Sequence, residues 1–233
     1  MITNGLQSEK YLNYSGGFGS FNTQRHTLAV GSGLLGGKFA FDVRGSLIAS
    51  DGYVDRARSD LKSFYASGLY LAKKTSVKFK VFHGEEETYQ SWYGISPEFV
   101  NDSKLRTYNP AGFINDSTFY DNQVDNYRQT HAHLTLNRHI TDGVNAQVSL
   151  HYTRGLGYYE EYRVGEVLQN YFAQFPTSDT SDLVRRLWLD NHFYGAVWRL
   201  HYEKNKWDAT LGRRHKSLRR RTFWRCHLVG VAN

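Results

Sequence analysis

Phe39-Ala40-Phe41-Asp42-Val43-Arg44-Gly45-Ser46-Leu47 decides how the rest of the chain is read. In an extended chain Phe39, Phe41, Val43 and Leu47 fall on one side, and Asp42, Arg44 and Ser46 fall on the other. Period-two alternation of this kind marks a strand with two unlike faces. It recurs along the sequence. Val77, Phe79 and Val81 alternate with Lys78, Lys80 and Phe82, and Ala132, Leu134 and Leu136 with His131, His133, Thr135 and Asn137. Val144, Ala146, Val148, Leu150 and Tyr152 alternate with Asn145, Gln147, Ser149, His151 and Thr153. Tyr194, Ala196, Trp198, Leu200 and Tyr202 alternate with Gly195, Val197, Arg199 and His201. No comparable 3.6-residue pattern appears, so no long helix is expected.

Nine strands are expected, near residues 11–21, 23–33, 38–50, 60–72, 75–89, 126–139, 144–155, 187–203 and 206–212. Most exceed the common strand length of about 5–6 residues and approach the ~9–11 that a tilted strand needs to cross a bilayer. The connections between them alternate in length. Leu34 to Gly37, Lys73-Lys74, Thr141-Asp142-Gly143 and Lys204-Asn205 are short, whereas Ser50 to Ser59, Gln90 to Asp125 and Leu156 to Arg186 are long. The tight connection near Asn22 is the exception. A soluble sandwich has no reason to collect its long loops at one end, but a transmembrane barrel does. Asp42, Arg44, Lys78, Lys80 and Gln147 lie well inside strands, where a water-filled lumen accepts them. Tyr11, Tyr14, Tyr89, Tyr152, Trp188 and Trp207 crowd strand ends, as rings with a polar tip do at a lipid–water boundary. The expected fold is therefore all-β: an antiparallel up-and-down transmembrane β-barrel, partial at about nine strands. A soluble or surface β-sheet module that binds glycans is the alternative.

Composition narrows the classes further. The 233 residues are 22% charged, of both signs, and 15% aromatic, which argues against a disordered chain. A single cysteine excludes a disulfide scaffold and a Cys-based zinc module. The net charge of +7 is not spread evenly. Residues 1–212 carry 22 Lys and Arg against 22 Asp and Glu, and residues 213–233 carry 7 Lys and Arg with no acid. The opening Met1-Ile2-Thr3-Asn4-Gly5 has no basic start, apolar run or cleavage site of a secretory signal.

Several segments resemble TonB-dependent outer-membrane receptors, particularly the Bacteroidetes type. Tyr14-Ser15-Gly16-Gly17-Phe18-Gly19-Ser20-Phe21-Asn22-Thr23 resembles their opening barrel hairpin, and Gly31-Ser32-Gly33-Leu34-Leu35-Gly36-Gly37-Lys38-Phe39 their first inner turn. Ser50 to Ala57 resembles the loop that follows. Tyr89 to Ile95 and Arg106 to Gly112 resemble parts of a large outer loop. Met1 to Gly5 resembles the junction between plug and barrel. The resemblance covers about residues 2–212. It implies outer-membrane lipid around the barrel, energy coupling through the TonB complex, and uptake of a scarce extracellular ligand such as an iron chelate, cobalamin or a glycan. It also implies driven conformational change rather than catalysis.

Measured against that family, residues 1–10 are expected to be a remnant of the plug-to-barrel junction and 11–212 a partial barrel. Against the family pattern, the expectation is that signal peptide, TonB box and plug are missing from this chain. Residues 213–233, opening with Arg213-Arg214-His215-Lys216 and holding the lone Cys226, are expected to be an aberrant basic tail of the kind a shifted reading frame produces.

The chemistry-bearing motifs are sparse. His131-Ala132-His133 puts two imidazoles on one strand face but offers no third ligand, so no metal site is expected. Asp51-Gly52-Tyr53-Val54-Asp55 lacks the acidic spacing and final Glu of a calcium loop. Glu85-Glu86-Glu87 reads as a solvated charge run at a strand end. Gly16-Gly17-Phe18-Gly19 is followed by neither Lys-Ser/Thr nor a helix, and there is no Gly-x-Ser-x-Gly. No catalytic residue, cofactor or nucleic-acid partner is expected. Ligand contact is expected instead from outer loops, through Trp92, Tyr93, Arg106, Tyr108, Tyr158, Tyr159 and Arg163. Rings of this kind stack on sugars, and guanidinium groups pair with anionic chelates.

Overall fold

The alternating segments pair in sequence order. A computed structural model describes residues 7–228, so Met1 to Gly5 lies outside the described residues. Nine strands form one sheet: β1 (Lys10–Gly19), β2 (Thr23–Ser32), β3 (Phe39–Ser50), β4 (Ser59–Ala72), β5 (Thr75–Tyr89), β8 (Val124–Thr141), β9 (Val144–Val167), β10 (Thr180–Lys204) and β11 (Trp207–Leu228). Every neighbouring pair is antiparallel. A small hairpin, β6 (Phe113–Asn115) with β7 (Thr118–Phe119), sits apart in the longest loop. Among the described residues β1 pairs with β2 alone and β11 with β10 alone, so the sheet is open.

Tight turns gather at one rim. Lys73-Lys74, Asp142-Gly143 and Asn205-Lys206 lie there, and Gly143 and Asn205 supply the positive φ that such turns demand. The connections 51–58, 90–123 and 168–179 lie at the other rim, together with the Ser20–Asn22 turn.

Cross-strand registers carry the two faces across the sheet. Leu12, Val30, Val43, Ala66, Val81, Ala132, Tyr152 and Tyr194 form one continuous row on β1 to β10. Phe41, Gly68, Phe79, Leu134, Leu150 and Ala196 form the row beneath it. The opposite face runs Tyr11, Gly31, Asp42, Ser67, Lys80, His133, His151 and Gly195. Among the described residues neither helix nor second sheet covers the apolar face: Phe41 stays 50% exposed and Leu150 47%. The fully buried apolar side chains among the described residues are Ala40, Tyr89, Ala111, Val124, Leu168 and Leu183, and all but Ala40 lie toward the long-loop rim. A soluble domain of this length would bury a central core; here the buried apolar side chains, Ala40 apart, gather at one rim.

Three strand ends depart from the sequence expectation. β9 was expected to stop near 155 and β10 to begin near 187, yet Thr180 already faces Val167, and Leu183 through Asp190 pair with Leu156 through Arg163. Gly155, Gly157 and the doublets Tyr158-Tyr159 and Glu160-Glu161 erase the alternation while the backbone stays paired. Gly155 leaves room for the Tyr127 ring, whose hydroxyl would stand 2.0 Å from a Cβ, and Gly157 is required, because a Cβ there would stand 2.3 Å from the Asn126 carbonyl oxygen. The last strand was expected to end at 212 but stays in register with β10 from Lys204↔Trp207 to Leu183↔Leu228. Alternation gives no signal beyond Gly212 because cations occupy both faces.

Candidate ligand-facing loop cap

Loop 90–123 is too long to be held by its own turns, and short polar side chains tie it down. Asn109 is buried; its amide donates to the carbonyls of Asp55 at 3.0 Å and Gln90 at 2.9 Å, and its carbonyl oxygen accepts the Ala111 N–H at 3.0 Å. The Gln90 amide donates to the carbonyls of Val124 at 3.2 Å and Glu160 at 2.9 Å. The Tyr89 hydroxyl reaches the carbonyls of Ala111 and Tyr120. Arg56 donates to the Asn109 carbonyl, and its guanidinium lies 3.6 Å from the Phe119 ring centroid. These bonds fold loop 90–123 onto loop 51–58 and onto the ends of β8 and β9.

Charge doublets clamp the neighbouring strands. Glu160 faces Arg186 and Glu161 faces Arg185 across β9 and β10. Glu160 is buried; it pairs with Arg186 and accepts from the Tyr120 hydroxyl at 2.6 Å and the Asn122 amide at 2.5 Å. Burial, then the bond to Glu160, holds the Tyr120 phenol well above its ordinary range. Glu161 binds Arg185 at 2.7 Å, and Arg185 donates to the Tyr171 hydroxyl at 2.8 Å. Nothing in single-residue reading singled out these groups, but Glu160-Glu161 and Arg185-Arg186 on consecutive strands were a readable signal.

The seven expected ligand residues divide. Trp92 and Tyr93 are exposed on loop 90–123. Tyr159 meets Trp92 edge-on at 6.2 Å and Trp224 of β11 at 6.0 Å, with the Arg185 guanidinium 4.8 Å from Trp224. Trp92 and Tyr159 are thus brought together. Tyr158, Tyr159 and Arg163 stand on β9 rather than on a loop, because β9 continues through them. Tyr158 points to the other face, against Trp188 at 4.7 Å and the Arg186 guanidinium at 4.4 Å. Arg163 is engaged by Glu166 at 2.7 Å. Tyr108 packs between Phe99 and Phe119 within its own loop, and Arg106 is exposed beside it.

The histidine pair is also occupied. His131 stacks on Phe82 at 4.3 Å, and its two ring nitrogens meet Gln129 at 2.9 Å and Thr153 at 2.8 Å. Glu85 pairs with His83, and Glu87 with Arg58 and Asn126. Among the described residues no group of three or more His, Cys, Asp or Glu side chains is placed to hold a metal ion.

No family model and no curated protein matches the chain. Solved structures do. The unliganded ferric citrate transporter FecA superposes with a TM-score of 0.73 at 10% identity, covering 100% of this chain and 32% of that one. The siderophore receptor PiuA from Acinetobacter baumannii gives 0.68 at 15% identity, covering 95% and 32%. FpvAI in complex with pyocin S2 gives 0.67 at 13% identity, covering 99% and 30%. The chain therefore has the fold of a barrel wall of that type and spans about a third of the length of these structures.

Proposed function

We propose that the chain forms part of the wall of an outer-membrane receptor barrel. The intact protein would take up a scarce solute (an iron–siderophore complex, cobalamin or a glycan) by energy coupling through TonB. The observation that carries this reading is the pairing of an uncovered apolar face with a rim that gathers every long loop. A wall between hydrocarbon and water needs the first, and a receptor needs the second to present ligand contacts. The matched structures are a ferric citrate transporter and siderophore receptors, which supports the solute class. The sequence motifs support the Bacteroidetes type. Trp92, Tyr93 and Tyr159 are the foremost ligand contacts, with Arg106, Tyr108, Tyr158 and Arg163 in supporting places.

Nine strands are an odd number, so β1 and β11 run parallel, and an antiparallel barrel cannot close between them. This supports the reading of the chain as a piece of a larger wall, not competent for transport alone. Arg213, His215 and Ser217 end rows that are mainly apolar on the preceding strands, which supports a shifted reading frame from 213 onward. Reading the gene in the alternative frame past codon 212 would then recover an alternating strand.

The functional reading is tested by refolding the chain into detergent and into liposomes. A piece of wall needs detergent to stay dispersed, shows no heat-dependent shift on gels and gives no conductance. A monodisperse, detergent-free protein that unfolds cooperatively and binds glycans overturns it in favour of a soluble module.

A further inference from the structure

β11 presents a 22-residue strand whose outer backbone edge has no partner among the described residues. Its side chains are cationic on both faces. Arg213, His215, Arg219 and Arg221 continue the rows of the apolar face, while Arg214, Lys216 and Arg220 continue the polar one. All seven are exposed, and none joins an ion pair among the described residues. Asp190 stands opposite Arg221 but is drawn toward Arg154 at 3.7 Å and His192 at 3.4 Å.

We propose that the free edge of β11 docks an extended acidic polypeptide segment, added as an antiparallel strand with carboxylates on both faces. Two independent observations point to this occupant. An edge supplies alternating N–H and C=O groups that only another peptide backbone can pair along its length. Cations on both faces match a strand that carries acids on both faces. An anionic lipid surface would reach one face and leave the other uncompensated, and a nucleic acid cannot pair with the edge. A second copy does not fit: the β1 edge holds no acidic residue, and it would lie parallel to β11 in a common membrane orientation. The inference concerns the surface that β11 makes. It rests on the membrane-wall reading for the orientation of the strand, but on neither the solute taken up nor the origin of the reading frame.

The test uses the full chain in neutral detergent and a fluorescein-labelled peptide of Glu-Glu-Val-Thr repeats, long enough to cover Arg213 to Arg225. Anisotropy reports binding. A matched peptide N-methylated at alternate amides keeps every charge and loses one pairing edge, so its affinity falls by about tenfold or more. R219Q/R220Q/R221Q and R219E/R220E/R221E weaken the parent peptide progressively. The N-methyl comparison uses the unaltered chain, so it holds even where a variant fails to fold. Equal binding of both peptides, absence of binding, or tighter binding of phosphatidylglycerol vesicles or single-stranded DNA overturns the proposal.

Discussion

Glu160 is the side chain on which the loop cap turns. It is buried, and Arg186, Tyr120 and Asn122 converge on it. Glu160→Ala leaves Arg186 without its partner, and because Arg186 is partly exposed the cost is about 1–3 kcal/mol, below that of stranding a fully buried charge. The expected readout is faster proteolysis within loop 90–123, with cleavage at the 168–179 connection unchanged. Tyr120 gives a pH signature. Its phenol is raised by burial first and by Glu160 second. An unfolded tyrosine loses its proton near pH 10, so the raised folded value makes the contribution complete below about pH 10. That contribution is lost as pH climbs through the folded value. Absorbance titration of phenolate should show a late-ionising component whose last part, and only that, is lost in Tyr120→Phe. At this scale sequence reading was weakest. It found the rings Trp92 and Tyr159, which do meet, but not Asn109, Gln90 or Glu160. Their importance comes from carbonyls brought near by loops distant in sequence, and no local pattern announces that.

At the scale of elements the strands were legible wherever alternation held. Nine were expected and nine form the sheet, because one face must stay apolar along each ribbon and a one-residue slip would reverse it. Strand ends were illegible where alternation is broken for a local reason. β9 passes through Gly155 because Tyr127 lies across that position. A Cβ there has no room, so Gly155→Val should displace Tyr127 and destabilise the β8–β9 pair by about 1–3 kcal/mol, the usual range for overpacking. Gly45→Val provides a comparison, since nothing lies within 4 Å of a Cβ at that strand position. A chemical denaturation midpoint lowered clearly more by the first substitution than by the second is the expected outcome. β11 was cut short in the sequence reading for a different reason. Its register with β10 persists to Leu228, but its cations conceal which face is which. Were Arg213 to meet lipid at the midplane of the apolar band, it would cost about 2–4 kcal/mol. Arg213→Leu should therefore raise partition into detergent micelles.

For the whole molecule, the sheet makes sense as a boundary rather than as a core. One apolar row runs unbroken from β1 to β10 with no covering layer among the described residues, and most of the buried apolar side chains gather under the loops. β9 and β10, at 24 and 25 residues, exceed what a bilayer needs and carry the wall up to the loop cap. Architecture of this kind was legible in the sequence because loop lengths and face polarity are long-range regularities. The odd strand count and its consequence for closure follow directly. The central claim is that the face bearing Phe41 and Leu134 meets hydrocarbon while the face bearing Arg44 and Thr135 meets water. In a Cys226→Ser background, single cysteines replacing each of these four would carry an environment-sensitive fluorophore in lipid-like micelles. Brominated detergent should quench the probes at 41 and 134, and iodide should quench those at 44 and 135. Equal access of iodide to both pairs, or quenching by brominated detergent at 44 and 135 but not at 41 and 134, would contradict the account.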